Sequence, residues 1–192
     1  TNNDLTNYYI IIPKSYVETA FWLESDRMLG LALAEQSVKV QKEVVIEEFK
    51  QQHLNRPYGD VQHLIRALAY KVHPYRWPTI GITPQHIEQA TRDSIMQFYH
   101  RYYTPGNAIL SVVGNISFDE VVQMAEKWFG NIPAGERYER NLPQEPLQTE
   151  ARQLTVKANV PLNAIYMAFK MPNRRSEAYQ RFDLMSDILS QG

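Results

Sequence analysis

Apolar positions recur with a helical period through most of this chain. The pattern predicts helices at residues 15–29, 34–54, 61–70, from 83 through 97–103, at 117–130 and at 176–189. Ser15 with Glu18, and Ser117 with Glu120, match the capping box that marks a helix N-terminus. Thr83 before Pro84 is a typical N-cap followed by proline in the first turn.

Short apolar and β-branched runs separate these helices. Residues 8–12, 108–113, 153–160 and 164–171 are each typical of a β-strand. Strands interspersed with several helices predict an α+β fold. A polar, proline-containing stretch at 133–149 predicts a linker, so we divide the chain into a domain at 1–135, a linker at 136–150 and the start of a second domain at 151–192.

Charge and cysteine content exclude several classes of function. The 192 residues carry a formal net charge of −1 with the two signs mixed, so no basic stripe indicates a nucleic-acid partner. There is no cysteine, which excludes disulfides, thiolate zinc sites and a cysteine nucleophile. No apolar run predicts a membrane span, and we expect a soluble protein whose compartment is unknown, cytoplasmic or periplasmic if bacterial. Both ends resemble cuts rather than natural termini.

One carboxylate on the 34–54 helix is a candidate site residue. Gln41, Val44, Val45, Glu48 and Gln52 share one helical face, which places Glu48 among apolar neighbours. A half-buried carboxylate requires compensation by an arginine, a set of backbone N–H groups or a metal ion. Helical geometry leaves these alternatives open, together with an ordinary salt bridge or a solvated position at the edge of the face.

The segment from Gln41 to Phe49 resembles a helix of the pitrilysin/insulinase zinc metallopeptidases, which include the processing peptidases. Phe21-Trp22-Leu23-Glu24-Ser25-Asp26-Arg27-Met28 and, later, Phe129-Gly130-Asn131-Ile132-Pro133 are similar to further parts of that family, in the same order and spacing. The resemblance covers nearly the whole chain. It implies a metallohydrolase fold with helices packed on a largely antiparallel sheet, and a second domain that structurally repeats the first.

The same resemblance implies the chemistry of a zinc peptidase. A His-x-x-Glu-His helix provides two zinc ligands and a general base in the family, and the glutamate that completes the site aligns with Glu48. Zinc held this way activates a water molecule that attacks a peptide bond. Gln41 stands where many relatives have an acidic residue, and it is expected to hydrogen-bond to the site.

The chain departs from the family pattern because no His-x-x-Glu-His occurs in it. The histidines lie in separate elements and are expected to be surface or packing residues: His53, His63, His73, His86 and His100. The motif is expected upstream of Thr1. The chain therefore holds no catalytic residue, and we expect it to be inactive alone and not to bind zinc tightly.

Three hypotheses follow. The first is a fragment of a zinc endopeptidase acting on short or unfolded polypeptides, with a homo- or heterodimeric partner as a further expectation. The second is a non-catalytic family member that serves as partner subunit or scaffold. The third, independent of any resemblance, is an α+β binding domain without metal.

Overall fold

The computed structural model describes residues 1–191, and the side chain of residue 191 is outside that description. Within this range the regular secondary structure consists of α-helices with short 3-10 turns and one π-helical turn. The helices are α1 (Val17–Leu29), α2 (Glu35–Phe49), α3 (Val61–Ala69), α4 (Pro84–Glu88), α5 (Arg92–Tyr102), α6 (Phe118–Phe129) and α7 (Glu177–Gln191). The π turn, Lys50–Leu54, continues directly from α2.

All the helical segments predicted from periodicity are present, but only one of the two predicted capping boxes forms. Ser117 accepts from the Glu120 backbone N–H, and the Glu120 carboxylate accepts from the Ser117 N–H in return. At the other position a 3-10 turn precedes α1, and Ser15 does not cap the helix. Glu18 instead accepts hydrogen bonds from Lys127 and Trp128 of α6, so a tertiary contact has replaced the local one.

One packed region lies where α1 meets α5 and α6, and a second surrounds Phe49 of α2. Phe21 of α1 is 4% exposed, and its ring meets that of Phe129 edge-on at 6.4 Å between centroids. Tyr99 of α5 is also buried, and its hydroxyl donates to the Arg27 carbonyl at 2.8 Å. Burial raises the pKa of Tyr99, so its hydroxyl stays protonated and available as this donor.

The α+β prediction is wrong for the described chain. Residues 1–191 contain no β-strand, and each of the four predicted segments, 8–12, 108–113, 153–160 and 164–171, is irregular. Their apolar side chains are largely exposed, as Ile109 at 97% and Ile165 at 89% illustrate. A β-branched run becomes a strand only when another segment pairs with it, and no described segment does so. The antiparallel sheet implied by the resemblance is therefore absent from residues 1–191.

The described chain exposes far more surface than a compact protein of its size. Its accessible area is 15783 Å² at a mass of 22.4 kDa. A compact monomer of this mass exposes about 9,400 Å² by the usual surface scaling. The difference reflects the uncovered extended segments and α7, where Leu184 and Ile188 are each 63% exposed. No described helix has both the length and the hydropathy that a bilayer crossing requires.

The predicted linker is hydrogen-bonded to the segment that follows α3. The Glu145 carboxylate accepts from the backbone N–H groups of Lys71, Val72 and His73 at 2.7 to 2.9 Å. Partial desolvation raises the pKa of Glu145, but these three hydrogen bonds and nearby Lys170 outweigh it and lower the pKa to about 2. The division into domains at 1–135 and 151–192 stays a prediction, because no observation tests it.

Candidate functional site

Glu48 lies on the outward side of α2. The helix turns Val38, Lys42, Val45, Ile46 and Phe49 inward, and Lys42 fixes it to α4 by donating to the carbonyls of Glu88 and Ala90. Glu48 itself is exposed, and its neighbour one turn earlier, Val44, is 52% exposed. The apolar neighbours expected around this carboxylate are thus present, but the described residues do not cover them.

The carboxylate of Glu48 has one hydrogen-bond partner among the described side chains. Gln52, one turn later, donates from Nε2 to Glu48 Oε1 at 2.9 Å. No described lysine, arginine or histidine forms a salt bridge with Glu48, whereas the adjacent Glu47 lies 3.7 Å from the Lys50 ammonium. Of the alternatives considered from sequence, the described chain supplies neither the arginine nor the backbone N–H groups. It places Glu48 in a solvated position rather than the expected half-buried one.

Gln41 is exposed on the same side of the helix but lies two turns before Glu48. Seven residues of α-helix separate the two backbones by about 10 Å, and no hydrogen bond joins their side chains in the described chain. Gln52 is the glutamine that orients Glu48, a contact that sequence reasoning missed. Its signal was the i, i+4 spacing of a carboxylate and an amide on one helix.

A complete metal site does not exist in the described residues. Nowhere in them do three or more histidine, aspartate or glutamate side chains converge as metal ligands. Glu48 is suited to provide one of the three protein ligands of a catalytic zinc ion, because its Oε2 accepts no hydrogen bond from the described chain. The remaining ligands would have to come from elsewhere.

Two histidines that the sequence places in different elements meet beside Phe49. His53 of the π turn and His63 of α3 lie with ring centroids 4.4 Å apart. Both contact the ring of Phe49, at 5.2 and 5.5 Å. We call Phe49, His53 and His63 the Phe49 cluster. The expectation that these histidines pack holds, but they pack against each other.

The other histidines have separate surroundings. His73 Nδ1 accepts from the Tyr75 backbone N–H and caps a 3-10 turn, as a proline-rich ordered loop requires. His86 and His100 are exposed. Neither His86 nor His100 belongs to a group of metal-ligating side chains in the described part of the chain.

Comparison with known proteins points to one family. The model of the "Peptidase M16 inactive domain" matches residues 89–192, which is more than half of the chain. A crystal structure of a protease from Helicobacter pylori superimposes with a TM-score of 0.63 at 30% sequence identity, covering 72% of this chain and 34% of that one.

Several curated proteins are similar in sequence. The zinc protease PqqE of Helicobacter pylori is 29% identical over 100% of this chain and 44% of its own length. The uncharacterized zinc protease YmxG of Bacillus subtilis is 32% identical over 70% of this chain and 32% of its own length. The probable mitochondrial-processing peptidase subunit beta of Schizosaccharomyces pombe is 29% identical over 75% of this chain and 31% of its own length. The chain spans less than half the length of each of these relatives.

Proposed function

Because this chain belongs to the peptidase M16 family, we propose that it is part of a zinc-dependent endopeptidase that hydrolyses short or unfolded polypeptides. The activity belongs to the whole protein, of which the chain forms one section. The observation that carries the proposal is the state of Glu48. It is an exposed carboxylate, oriented by Gln52 and without a cationic partner in the described chain. The resemblance of the 41–49 helix to the zinc-site helix of the family supports the same role.

Within this proposal Glu48 contributes one zinc ligand. Gln52 holds Oε1, which leaves Oε2 to face a metal ion, and an amide donor of this kind restricts the rotation of a ligating carboxylate. Gln41 is proposed to act more remotely on the same helix face. When bound, zinc would polarise the scissile carbonyl and lower the pKa of its water. Two histidines and a glutamate base would come from a His-x-x-Glu-His segment preceding Thr1.

The chain alone supplies one ligand, which is too few for tight zinc binding. A catalytic zinc site takes three protein ligands and keeps a fourth position open. We therefore expect the isolated 192-residue chain to hold zinc weakly and to lack peptidase activity. A partner subunit is a further part of the proposal, since one relative carries the name of a beta subunit.

The test compares two neighbouring glutamates in the full-length protein. Glu48→Gln removes the proposed ligand, and Glu47→Gln removes a carboxylate that pairs with Lys50 on the same helix. We expect the Glu48 variant to lose about 10- to 100-fold in zinc affinity and most peptide hydrolysis, while the Glu47 variant matches the wild type. Equal zinc affinity in all three proteins would dismiss Glu48 as a ligand.

The alternative is a non-catalytic member of the same family that acts as partner subunit or scaffold. One observation favours it: the family model that matches residues 89–192 describes an inactive domain. The sequence immediately before Thr1 in the full-length protein separates the two functions. A His-x-x-Glu-His segment there supports the peptidase, and its absence supports the scaffold.

A further inference from the structure

The residue after the proposed ligand is the most deeply buried apolar side chain of α2. Phe49 is 2% exposed, whereas Glu48 beside it is exposed. Consecutive residues on a helix point in directions about 100° apart, so fixing the rotation of one fixes the other. Whatever holds the Phe49 ring therefore sets the direction in which Glu48 leaves the helix.

The Phe49 ring is held on one side by His53, which lies in a π turn. The turn is closed by the Asn55 N–H, which donates to the Lys50 carbonyl five residues earlier at 2.8 Å. His53 Nδ1 donates to the Gly59 carbonyl at 3.1 Å, and a Cβ at Gly59 would lie 2.7 Å from the His53 carbonyl oxygen. Single π turns recur at functional sites. His53 follows Phe49 by four residues, so both rings lie on the same side of the helix end.

His63 of α3 contacts the Phe49 ring from the same side, next to His53. Its Nε2 donates to the Gly81 carbonyl at 3.1 Å, which places the lone pair on Nδ1. That Nδ1 is buried and has no hydrogen-bond partner in the described residues. A proton there would be a buried charge without an acceptor, an arrangement that costs free energy.

The charged and titratable groups around His63 favour its neutral form on balance. Burial lowers the pKa of His63 below its usual 6.5, and the nearby His53 and Arg66 lower it further. The Gly81 hydrogen bond and Asp60 act in the opposite direction. Neutral His63 fits against Phe49 and His53, whereas its protonated form would face a second imidazole at 4.4 Å.

We propose that the Phe49 cluster is a positioning device that holds Glu48 in the direction a metal ion requires, and that it does so while His63 is neutral. Protonation of His63 opens the cluster, frees the end of α2 and lets the Glu48 carboxylate rotate away. The zinc affinity then falls in acid more steeply than protonation of the ligands alone would cause. This inference rests on the proposed zinc site, and it makes His63 a positioning residue rather than a ligand.

The experiment measures zinc affinity of the full-length protein by competition with a chelator, at a series of pH values from neutral to about pH 5, because the pKa of His63 lies below the usual 6.5. His63→Ala removes the contact with Phe49, and we expect about a tenfold loss of zinc affinity near neutral pH. His63→Gln keeps a donor for the Gly81 carbonyl but does not titrate. It lacks the imidazole ring that contacts Phe49, so we expect it to bind zinc more weakly than the wild type near neutrality, but to lose less affinity on acidification. His100→Gln, at an exposed histidine, should follow the wild type throughout.

Two results would overturn the positioning role: wild-type zinc affinity in the His63→Ala protein, or an acid loss in the His63→Gln protein equal to that of the wild type. If the alanine variant is shown by circular dichroism to be unfolded, the pH profile of the glutamine variant decides alone. Glu48→Gln is measured in parallel. If Glu48→Gln weakens zinc binding but the His63 variants bind zinc like the wild type, only the positioning role is refuted. If Glu48→Gln leaves zinc binding unchanged, the zinc site itself is refuted.

Discussion

Replacing Phe49 by alanine should destabilise the protein more than any comparable change at an exposed aromatic residue. Phe49 is 2% exposed and contacts the rings of His53 and His63, so its removal leaves a cavity between α2 and α3. Phenylalanine-to-alanine changes in cores cost about 3–5 kcal/mol. We expect about 3 kcal/mol here, because the surrounding surface is open enough to relax. For a chain of this length that corresponds to a fall in Tm of about 6–12 °C.

The assay is unfolding by urea and by heat, followed by far-UV circular dichroism. The matched control is Phe98→Ala, since Phe98 is 58% exposed and its ring lies 4.6 Å from that of Tyr102 between centroids. Its loss should cost less than about 1 kcal/mol, as is usual for surface positions. Equal destabilisation by the two substitutions would refute the conclusion that Phe49 anchors the end of α2.

Three further changes test local features of the fold. Gly59→Ala should destabilise the protein by about 1–3 kcal/mol in thermal unfolding, because the added Cβ would lie 2.7 Å from a backbone oxygen. Gly30→Ala is the control: no atom lies near its added Cβ, so it should be neutral or stabilising. Ser117→Ala should cost about 1 kcal/mol by loss of the helix cap, and Ser15→Ala should cost nothing measurable, since Ser15 caps no helix. The hydrogen bonds that Glu145 accepts from the 71–73 backbone should persist above about pH 4.5 and be lost as the pH falls toward 2, because the lowered pKa of Glu145 keeps it ionised until then. The measurement is the protection of these amides from hydrogen exchange, relative to the intrinsic rate at each pH. Protection that stays constant across this range would contradict the prediction.

Periodicity in the sequence was sufficient to locate the helices, because helix formation depends on contacts within a few residues. Helix α2 with its π turn spans almost the same residues as the predicted helix at 34–54. The Ser117 cap was predicted for the same reason. The predicted Ser15 cap does not form, because Glu18 accepts hydrogen bonds from Lys127 and Trp128, which are distant in sequence.

The candidate site was predictable only in part. Helical spacing placed Glu48 on a face with Val44 and Gln52, and resemblance to a family singled it out as a ligand. Sequence reasoning did not identify Gln52 as its hydrogen-bond partner. It also could not bring His53 and His63 together, because their contact depends on the path of the chain between α2 and α3.

The sequence by itself determined the positions of the helices and the membership of a peptidase family, since both depend on residue identity and order. Tertiary structure decided that none of the described β-branched runs is paired, and it decided which side of α2 faces inward. Strand pairing and burial are properties of surfaces that meet in space, and a linear pattern states only that a segment is suited to them. For that reason the predicted strands at 108–113 and 164–171 are irregular. The helix that carries Glu48 was predicted from the sequence, but only the structure shows that Glu48 faces outward from it.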